Sequence, residues 1–595
     1  MKNSMKKPKL SIIIVFAVLT IPVFMFGCKI VYLYQISPKG LDGYAYVLSN
    51  LAESILNDPF TLNIALTYLG GLVASIALWL IWIALFAFPK NYRHGEEHGS
   101  ARWGTSADIK PFMDQNPDNN IILTETEGLT MEEKMKVTPT QDYNRNKNVV
   151  VIGSPGSQKT RGVVIPNLMQ MHSSYVASTT KTELFNKTGY LFKTAGYKIK
   201  LLNFVDLNQS HHYNFFKYIS DDMDVHKIVN NIIKNTSPSG PTTADPFWEK
   251  SEIAFLEAIF SYLIYEAEPE DRNMETVMMM YQAAQVKEDD EDYISALDVL
   301  FDELKEVKPH CFAVEQYDIF KKGAGKTIKS ILISVGVRLS PFNIPDVREL
   351  TRTDDLELEL LGDEKTILYV CMSDTDSSLN FLVAIIYQQL FDVLVRRADS
   401  IYGGELPIPV RCVQDEFANS GQIPEFDKII AIIRSRRISV TIILQSISQI
   451  KKIYEKEWET IMANCDSFLF LGSNELSTLE YVSKCIDQET IDLKNDSVSK
   501  AVNGGYSWSN QTAARSLITP GEVRTISRRY CILIISGIPA FKSRKYDITM
   551  HKNYKYLSDS DKRLFFKFED LSKSTEQLIS DRNQLIAEQT QVQVS

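Results

Sequence analysis

Cysteine is scarce in this sequence: seven residues in 595, namely Cys28, Cys311, Cys371, Cys412, Cys465, Cys485 and Cys531, with no CxxC pair among them. Such scatter excludes a zinc module and a disulfide framework, and it places most of the chain in a reducing cytoplasm. Histidine is also rare, eight in all, and the adjacent pair His211 and His212 does not suggest a metal site, because neighbouring side chains seldom share a metal. An excess of positive charge is missing too. The formal net charge of −10 excludes a protein that coats nucleic acid by bulk charge, so any DNA contact must come from a local basic surface, for which Lys542, Arg544 and Lys545 are candidates. There is no internal repeat and no basic terminal domain. What remains is a chain with 44% apolar residues, enough for a large core, and a length that suits two or three domains.

Long apolar runs occur near the start. Residues 1 to 9 (MKNSMKKPK) carry four lysines and no acid, Leu10 to about Leu33 is strongly apolar, and Leu62 to about Phe88 is a second run. Both have roughly the length that spans a bilayer. Tyr32, Tyr34, Trp79 and Trp82 suit the interfaces, and cations collect before the first run and after the second (Lys90, Arg93, Arg102). The sequence therefore predicts two transmembrane helices with both ends cytoplasmic and about 28 residues outside. Met25-Phe26-Gly27-Cys28 has the outline of a lipoprotein cleavage box, but its bulky Met and Phe fit that use poorly.

Asn148 to Ile152 reads as a strand, and GSPGSQKTRGVVIPN follows it. Gly153, Ser154, Pro155, Gly156, Ser157 and Gln158 would let successive N–H groups curl around phosphates, Lys159 would reach the β- and γ-phosphates, and the Thr160 hydroxyl would ligate magnesium at a helix start. The usual pattern has glycine where this chain has Gln158, whose Cβ could crowd the phosphate. A second GKT ending, Gly325-Lys326-Thr327, follows a helix-like stretch rather than a strand and is set aside.

The stretch from Pro409 to Ser446 reads as strand, acidic loop, helix, strand. Asp415 and Glu416 follow a short apolar strand, where one carboxylate can hold a magnesium water shell and the next can polarise an attacking water. Ile438 to Leu444 is a second β-branched run, which delivers Gln445 to the same edge as a candidate γ-phosphate sensor. The cluster Arg434, Ser435, Arg436 and Arg437 suits a solvated helix end as well as a functional role. Between these motifs, residues from about Phe215 to Arg338 carry helical periodicity. Lys365 to Cys371, Ser467 to Leu471 and Tyr530 to Ile535 read as further strands. Residues Asp487 to Ser516 read as a polar surface loop and the end of the chain as a fraying polar helix.

GSPGSQKTRGVVIPN, DPFWEK, GAGKTIKSILISVGVRLSPF, QDEFANSGQIPEFDKIIAIIRSR, ILQSISQI and GSARWG resemble stretches of the type IV coupling proteins, the TraG-like membrane ATPases of conjugative DNA transfer, in the form found in Gram-positive conjugative elements. The resemblance implies an α/β fold: two transmembrane helices (1–89), a juxtamembrane segment (90–147), a RecA-like P-loop ATPase domain (148–214 and 360–556) interrupted by an all-α domain (215–359), and a polar tail (557–595). It implies ATP and Mg2+ as ligands, with Lys159 and Thr160 on phosphate and magnesium, Asp415 supporting the metal, Glu416 activating water and Gln445 sensing the γ-phosphate. Arg434 takes the place of an arginine finger reaching a neighbouring subunit in a homo-hexamer, with Arg436 in reserve. The implied partners are a relaxase and its accessory proteins, single-stranded DNA, and the type IV secretion channel with its ATPases, at the cell membrane. SYVASTTKTELF departs from the family, which commonly reads Asp-Pro-Lys-Gly-Glu there; only Lys181 and Glu183 match. A nucleotide-gated substrate receptor with little turnover is the competing expectation, motivated by Gln158. A chromosome-segregation translocase, usually with four spans and a winged-helix end, does not fit two spans and no basic terminal domain.

Overall fold

Two helices can approach closely in an apolar setting only where small residues remove the side chains between them, and the N-terminal unit is built that way. The computed structural model describes residues 10–58, 64–83, 95–132, 144–237, 246–287, 293–323, 325–498 and 506–594. Its contacts divide the chain into Met1–Glu97 and His98–Ser595. The first unit holds α1 (Leu10–Ile36), α2 (Leu41–Asn57) and α3 (Ile64–Trp82). A Cβ on Gly27 would stand 2.4 Å from the Gly70 carbonyl oxygen, and one on Gly71 would stand 2.6 Å from Cys28 Sγ, so the α1–α3 crossing depends on glycine. Trp79 Nε1 donates to Thr20 Oγ1 at 3.1 Å across the same pair. Among the described residues one helix, Ile13–Ile36, is long and apolar enough to cross a membrane, and Thr67–Trp82 is a shorter apolar helix. The second predicted run is thus described only in part, since residues 84–94 lie outside the described residues.

A parallel strand covered on both faces must be apolar at nearly every position, and the second unit is organised on such strands. It contains β1 (Asn120–Ile122), β2 (Gly128–Thr130), β3 (Val149–Gly153), β4 (Ser174–Thr179), β5 (Lys198–Asn203), β6 (Thr366–Cys371), β7 (Val410–Gln414), β8 (Ile438–Leu444), β9 (Ser467–Gly472), β10 (Gln488–Val498), β11 (Tyr506–Ser516), β12 (Tyr530–Ile535) and β13 (Ile538–Arg544). Nine of them form one sheet in the order β13-β12-β9-β3-β8-β7-β4-β6-β5. From β9 to β5 all pairs are parallel, and β12 and β13 close one edge as an antiparallel hairpin. Every residue of β3, β7 and β8 is buried; at roughly 1.5–3 kcal/mol for each large apolar side chain, this centre anchors the unit.

Alternate side chains supply two cores. Val150, Ile152, Val440 and Ile442 face one core, and Val149, Val151, Val413 and Ile443 face the other. Between β5 and β6 the described chain is helical only, including Asp222–Thr236, Pro246–Glu266 and Gly325–Arg338. These helices share the first core with the sheet through Ile232, Phe255 and Ile331, so the structure does not separate them as a compact unit of their own. The second core takes in segments with little readable periodicity: Ile121 and Leu129 of the β1–β2 hairpin, and Leu564, Phe566 and Leu578 near the chain end.

One segment departs from expectation. Residues 487–516, read as a loop, form the ribbon of β10 and β11, paired from Gln488↔Ser516 to Val498↔Tyr506. Its sequence is mostly polar, and apolar alternation is confined to Ile491–Leu493 and Tyr506–Trp508, too brief to mark a strand although the backbone ladder is regular.

Candidate functional site

In a parallel sheet, loops at the carboxyl ends of neighbouring strands converge on one ligand. Register brings three motifs together here. Ile152 of β3 pairs with Leu444 of β8, and Gln414 of β7 pairs with Ile442. The phosphate loop leaving β3, Gln445 leaving β8 and the acidic pair leaving β7 therefore emerge side by side, with β8 in the middle.

The contacts are specific. The Thr160 hydroxyl donates to Asp415 Oδ2. Lys159, itself buried, donates from Nζ to the Gly153 carbonyl at 2.9 Å and lies 3.3 Å from Glu416 Oε1. Gln445 Nε2 donates to Glu416 Oε2 at 3.0 Å. Glu416 adopts a left-handed backbone conformation, φ 63°, which turns the chain sharply at the strand end. In the loop itself Ser154 N–H donates to the Gly472 carbonyl and Ser157 N–H to the Ser154 carbonyl, while Gly156 and Gln158 N–H have no acceptor among the described residues. A Cβ on Gly153 would meet Ser157 Oγ at 2.2 Å, so glycine is required at that turn.

Gln158 is exposed and has φ 72°. The demand at this position is conformational: glycine is free in the left-handed region, whereas a side chain there costs about 1–2 kcal/mol. A cavity of about 400 Å³ lies over the loop. Its walls include Lys159, Thr160, Asp415 and Glu416, and also Thr179, Thr180, Lys181 and Glu183, the stretch to which the sequence assigned no role. The departing segment thus lines the same cavity as the phosphate loop and the acidic pair.

Asp415 is buried, and Oδ1 has no partner among the described atoms. Burial pushes its carboxyl up to about 6; Glu416 adds to the shift, while the Thr160 hydroxyl and Lys159 oppose it. An orphaned buried carboxylate oxygen beside a hydroxyl is a fitting seat for a hard cation. The raised value also has a stability consequence. Between about pH 4 and 6 the folded protein holds a proton that the unfolded chain has released, so stability falls as pH rises through that window. Asp415→Asn should therefore raise the melting temperature of the nucleotide-free protein at pH 8, corresponding to roughly 3 kcal/mol, with no gain at pH 4. Equal gains at both pH values would contradict this account of the carboxyl.

Other candidates lie elsewhere. Arg434 precedes β8, at the opposite end of the sheet from Lys159, and a seven-residue strand spans about 23 Å. Its side chain is exposed, with no ion pair among the described residues. Arg436 is engaged by Asp399 at 2.9 Å. Gly325-Lys326-Thr327 begins the helix Gly325–Arg338 and follows the helix Phe312–Lys321, so no strand delivers it to an edge. Of the basic candidates for DNA, Lys542 and Arg544 are exposed, but Lys545 is buried and donates to the Ser157 carbonyl at 3.0 Å. Lys545 supports the phosphate loop, a role with no local sequence signal because its partner lies 388 positions away.

Residues 114–565 match the family model for type IV secretory system conjugative DNA transfer. The chain is 23% identical over 532 residues to the protein VirD4 of Rhizobium rhizogenes, covering 86% of this chain and 74% of that protein. It is 24% identical over 531 residues to VirD4 of Agrobacterium fabrum, covering 86% and 75%. The fold resembles that of the plasmid coupling protein TrwB in complex with ADP and Mg2+, with TM-score 0.53, 14% identity and coverage of 75% of this chain and 93% of that one. It likewise resembles the coupling protein TrwBdeltaN70 in complex with sulphate, with TM-score 0.52, 15% identity and coverage of 75% and 93%. The family match spans most of the chain and holds all three converging motifs: the chain belongs to the type IV secretory system conjugative DNA transfer family and is a type IV coupling protein.

Proposed function

We propose that this protein is a membrane-anchored ATPase that recruits a relaxase bound to single-stranded DNA and delivers it to a type IV secretion channel. The observation that carries this reading is the joining of the phosphate loop to the acidic loop: Thr160 on Asp415, and Glu416 held between Lys159 and Gln445. TrwB has been solved with ADP and Mg2+, and the residues here fit the same ligands. Gly153 to Gln158 would cradle phosphate, with Lys159 contributing charge. Thr160 and Asp415 would hold magnesium, which when bound neutralises phosphate oxygens and stabilises charge in phosphoryl transfer. Glu416 accepts a proton from the attacking water, and Gln445, bonded to Glu416, reports the γ-phosphate to it. Lys159 lies 3.3 Å from Glu416, so phosphate beside Lys159 would compete for the ammonium and free the carboxylate for that task.

Arg434 lies far from its own phosphate loop, a placement that suits a finger acting on the neighbouring subunit of a homo-hexamer. The helical segment of residues 215–359 reads as an all-α domain inserted in a RecA-like domain of residues 148–214 and 360–556, with 90–147 as juxtamembrane segment and 557–595 as tail. α3, paired with α1 through glycine, is the second membrane span, which leaves the N-terminus and the large C-terminal unit cytoplasmic. Accessory proteins of the relaxase, the channel proteins and their ATPases complete the partners.

The competing receptor reading predicts ATP binding with negligible turnover in wild type and restored turnover in Gln158→Gly. The ATPase reading predicts turnover in wild type, with Gln158→Gly within about threefold of it, because the strain at this position amounts to about 1–2 kcal/mol and is present in the ground state as well. Steady-state phosphate release by the two proteins decides between them.

A further inference from the structure

The loop that follows Glu416 is held from two sides. On one side the Ile423 N–H donates to the hydroxyl of buried Tyr454 at 3.0 Å. On the other, Asn235, from the last turn of the helix Asp222–Thr236, makes a two-point contact with Gln422: the Gln422 N–H donates to Asn235 Oδ1 at 2.7 Å, and Asn235 Nδ2 donates to the Gln422 carbonyl at 3.0 Å. The side-chain amide thereby pairs with the loop as a backbone strand would. Gly421 is shaped for this approach, with φ 72° and a virtual Cβ 2.8 Å from Asn235 Oδ1. Only six positions separate Gln422 from Glu416, and the short turn Phe417–Asn419 fills most of them.

Asn235 is itself fixed by buried polar groups. Its Nδ2 also donates to Asn231 Oδ1 at 2.8 Å, and Asn231 Nδ2 donates to Gln388 Oε1 at 2.6 Å on the helix Asn380–Ile401. The same helix end is gripped by Arg338, whose Nη1 donates to the Ile233 carbonyl at 3.0 Å, to Thr236 Oγ1 at 3.1 Å and to Ser237 Oγ at 3.0 Å. Arg338 Nε donates in turn to buried Glu252 at 2.6 Å, and Ser334 donates to the other oxygen of that carboxylate. Glu252 belongs to the helix Pro246–Glu266, and Ser334 and Arg338 to the helix Gly325–Arg338. Buried networks of this kind are rigid when every member is satisfied, so displacement of these two helices is passed to the end of Asp222–Thr236 rather than absorbed.

We propose that Asn235 is the positioning residue through which the helices between β5 and β6 set the loop behind Glu416, so that displacement of those helices changes the rate of ATP hydrolysis. This rests on Glu416 being the water-activating carboxylate and on the single-stranded DNA of the proposed function being the ligand that moves those helices. Asn235 touches no nucleotide; it acts by holding Gln422.

The test is ATP turnover of the full chain in lipid nanodiscs, with and without a single-stranded oligonucleotide, for wild type, Asn235→Ala and Glu416→Gln, with oligonucleotide binding followed by fluorescence anisotropy. Asn235→Ala is expected to lose DNA stimulation, its stimulated-to-basal ratio falling to about 1, while KM for ATP and the affinity for DNA stay within about twofold of wild type. A purely structural weakening would move the basal rate or the affinity and leave the ratio in place. The proposal is overturned by a wild-type ratio in Asn235→Ala, by loss of DNA binding in that variant, or by a wild type that DNA does not stimulate. Wild-type turnover in Glu416→Gln would instead sink the underlying reading of the site. Should Asn235→Ala not fold, the isosteric Asn235→Asp keeps the bond from the Gln422 N–H and loses donation to the Gln422 carbonyl and Asn231. Its ratio is expected to fall between 1 and that of wild type, and a full wild-type ratio overturns the proposal.

Discussion

Arg434→Ala should lower ATP turnover of the assembled protein by about 10³-fold or more, the scale set by fingers that stabilise charge developing in phosphoryl transfer. Arg434 stands at the amino end of β8 while Lys159, Thr160, Asp415 and Glu416 gather at the carboxyl ends of the parallel strands. A cation so placed cannot serve its own phosphate loop. Unlike Arg436, which Asp399 holds, Arg434 has an exposed side chain that is free to reach a second protomer. Two further results follow from action across subunits. ATP affinity of the isolated protomer should be unchanged by the substitution, and mixing Arg434→Ala with Lys159→Ala protomers should recover part of the turnover, because some interfaces then carry an intact finger against an intact loop. Measuring turnover across mixing ratios checks both. A loss already complete in the monomer, or no recovery at any ratio, would assign Arg434 to local structure.

Glu416→Gln is the second large effect. Replacing a positioned proton acceptor by an isosteric amide typically removes 10²–10⁴-fold of rate, about the full contribution of general base catalysis. The amide still fits between Lys159 and Gln445, so nucleotide binding should persist and ATP should accumulate on the protein unhydrolysed. Equilibrium binding of a fluorescent ATP analogue, read beside single-turnover hydrolysis, separates the two steps. Equal losses of binding and turnover would mean that Glu416 matters for the shape of the site rather than for moving a proton.

The parts of this site that were legible in the sequence are those in which chemistry fixes residue identity. Lys159, Thr160, Asp415, Glu416 and Gln445 each follow an apolar strand, and the sheet register brings them to one edge. The false GKT ending could be discarded because a helix precedes it. Gln158 looked like a defect beside a phosphate; the backbone shows why the pattern prefers glycine there, since φ is 72°. What escaped sequence reading falls into two physical kinds. The β10–β11 ribbon is mostly polar in sequence, with apolar alternation over only three residues in each strand, too short a period to distinguish them from a loop. Lys545 and Asn235 have partners 388 and 187 positions away, and a long-range hydrogen bond leaves no local pattern. The placement of Arg434 came from resemblance alone, because a basic residue at a helix end has an ordinary surface explanation. The apolar runs of α1 and α3 were legible, but the pairing of Gly27 with Gly70 depends on how the two helices cross, which composition does not reveal.

Steady-state ATP hydrolysis by the wild-type chain in lipid nanodiscs, with magnesium, in the presence and absence of single-stranded DNA, separates a motor from a receptor. The account predicts magnesium-dependent turnover that rises when DNA is added and disappears when Lys159 is replaced by alanine. ATP binding without turnover under both conditions would contradict it and leave a nucleotide-gated receptor whose energy comes from a partner.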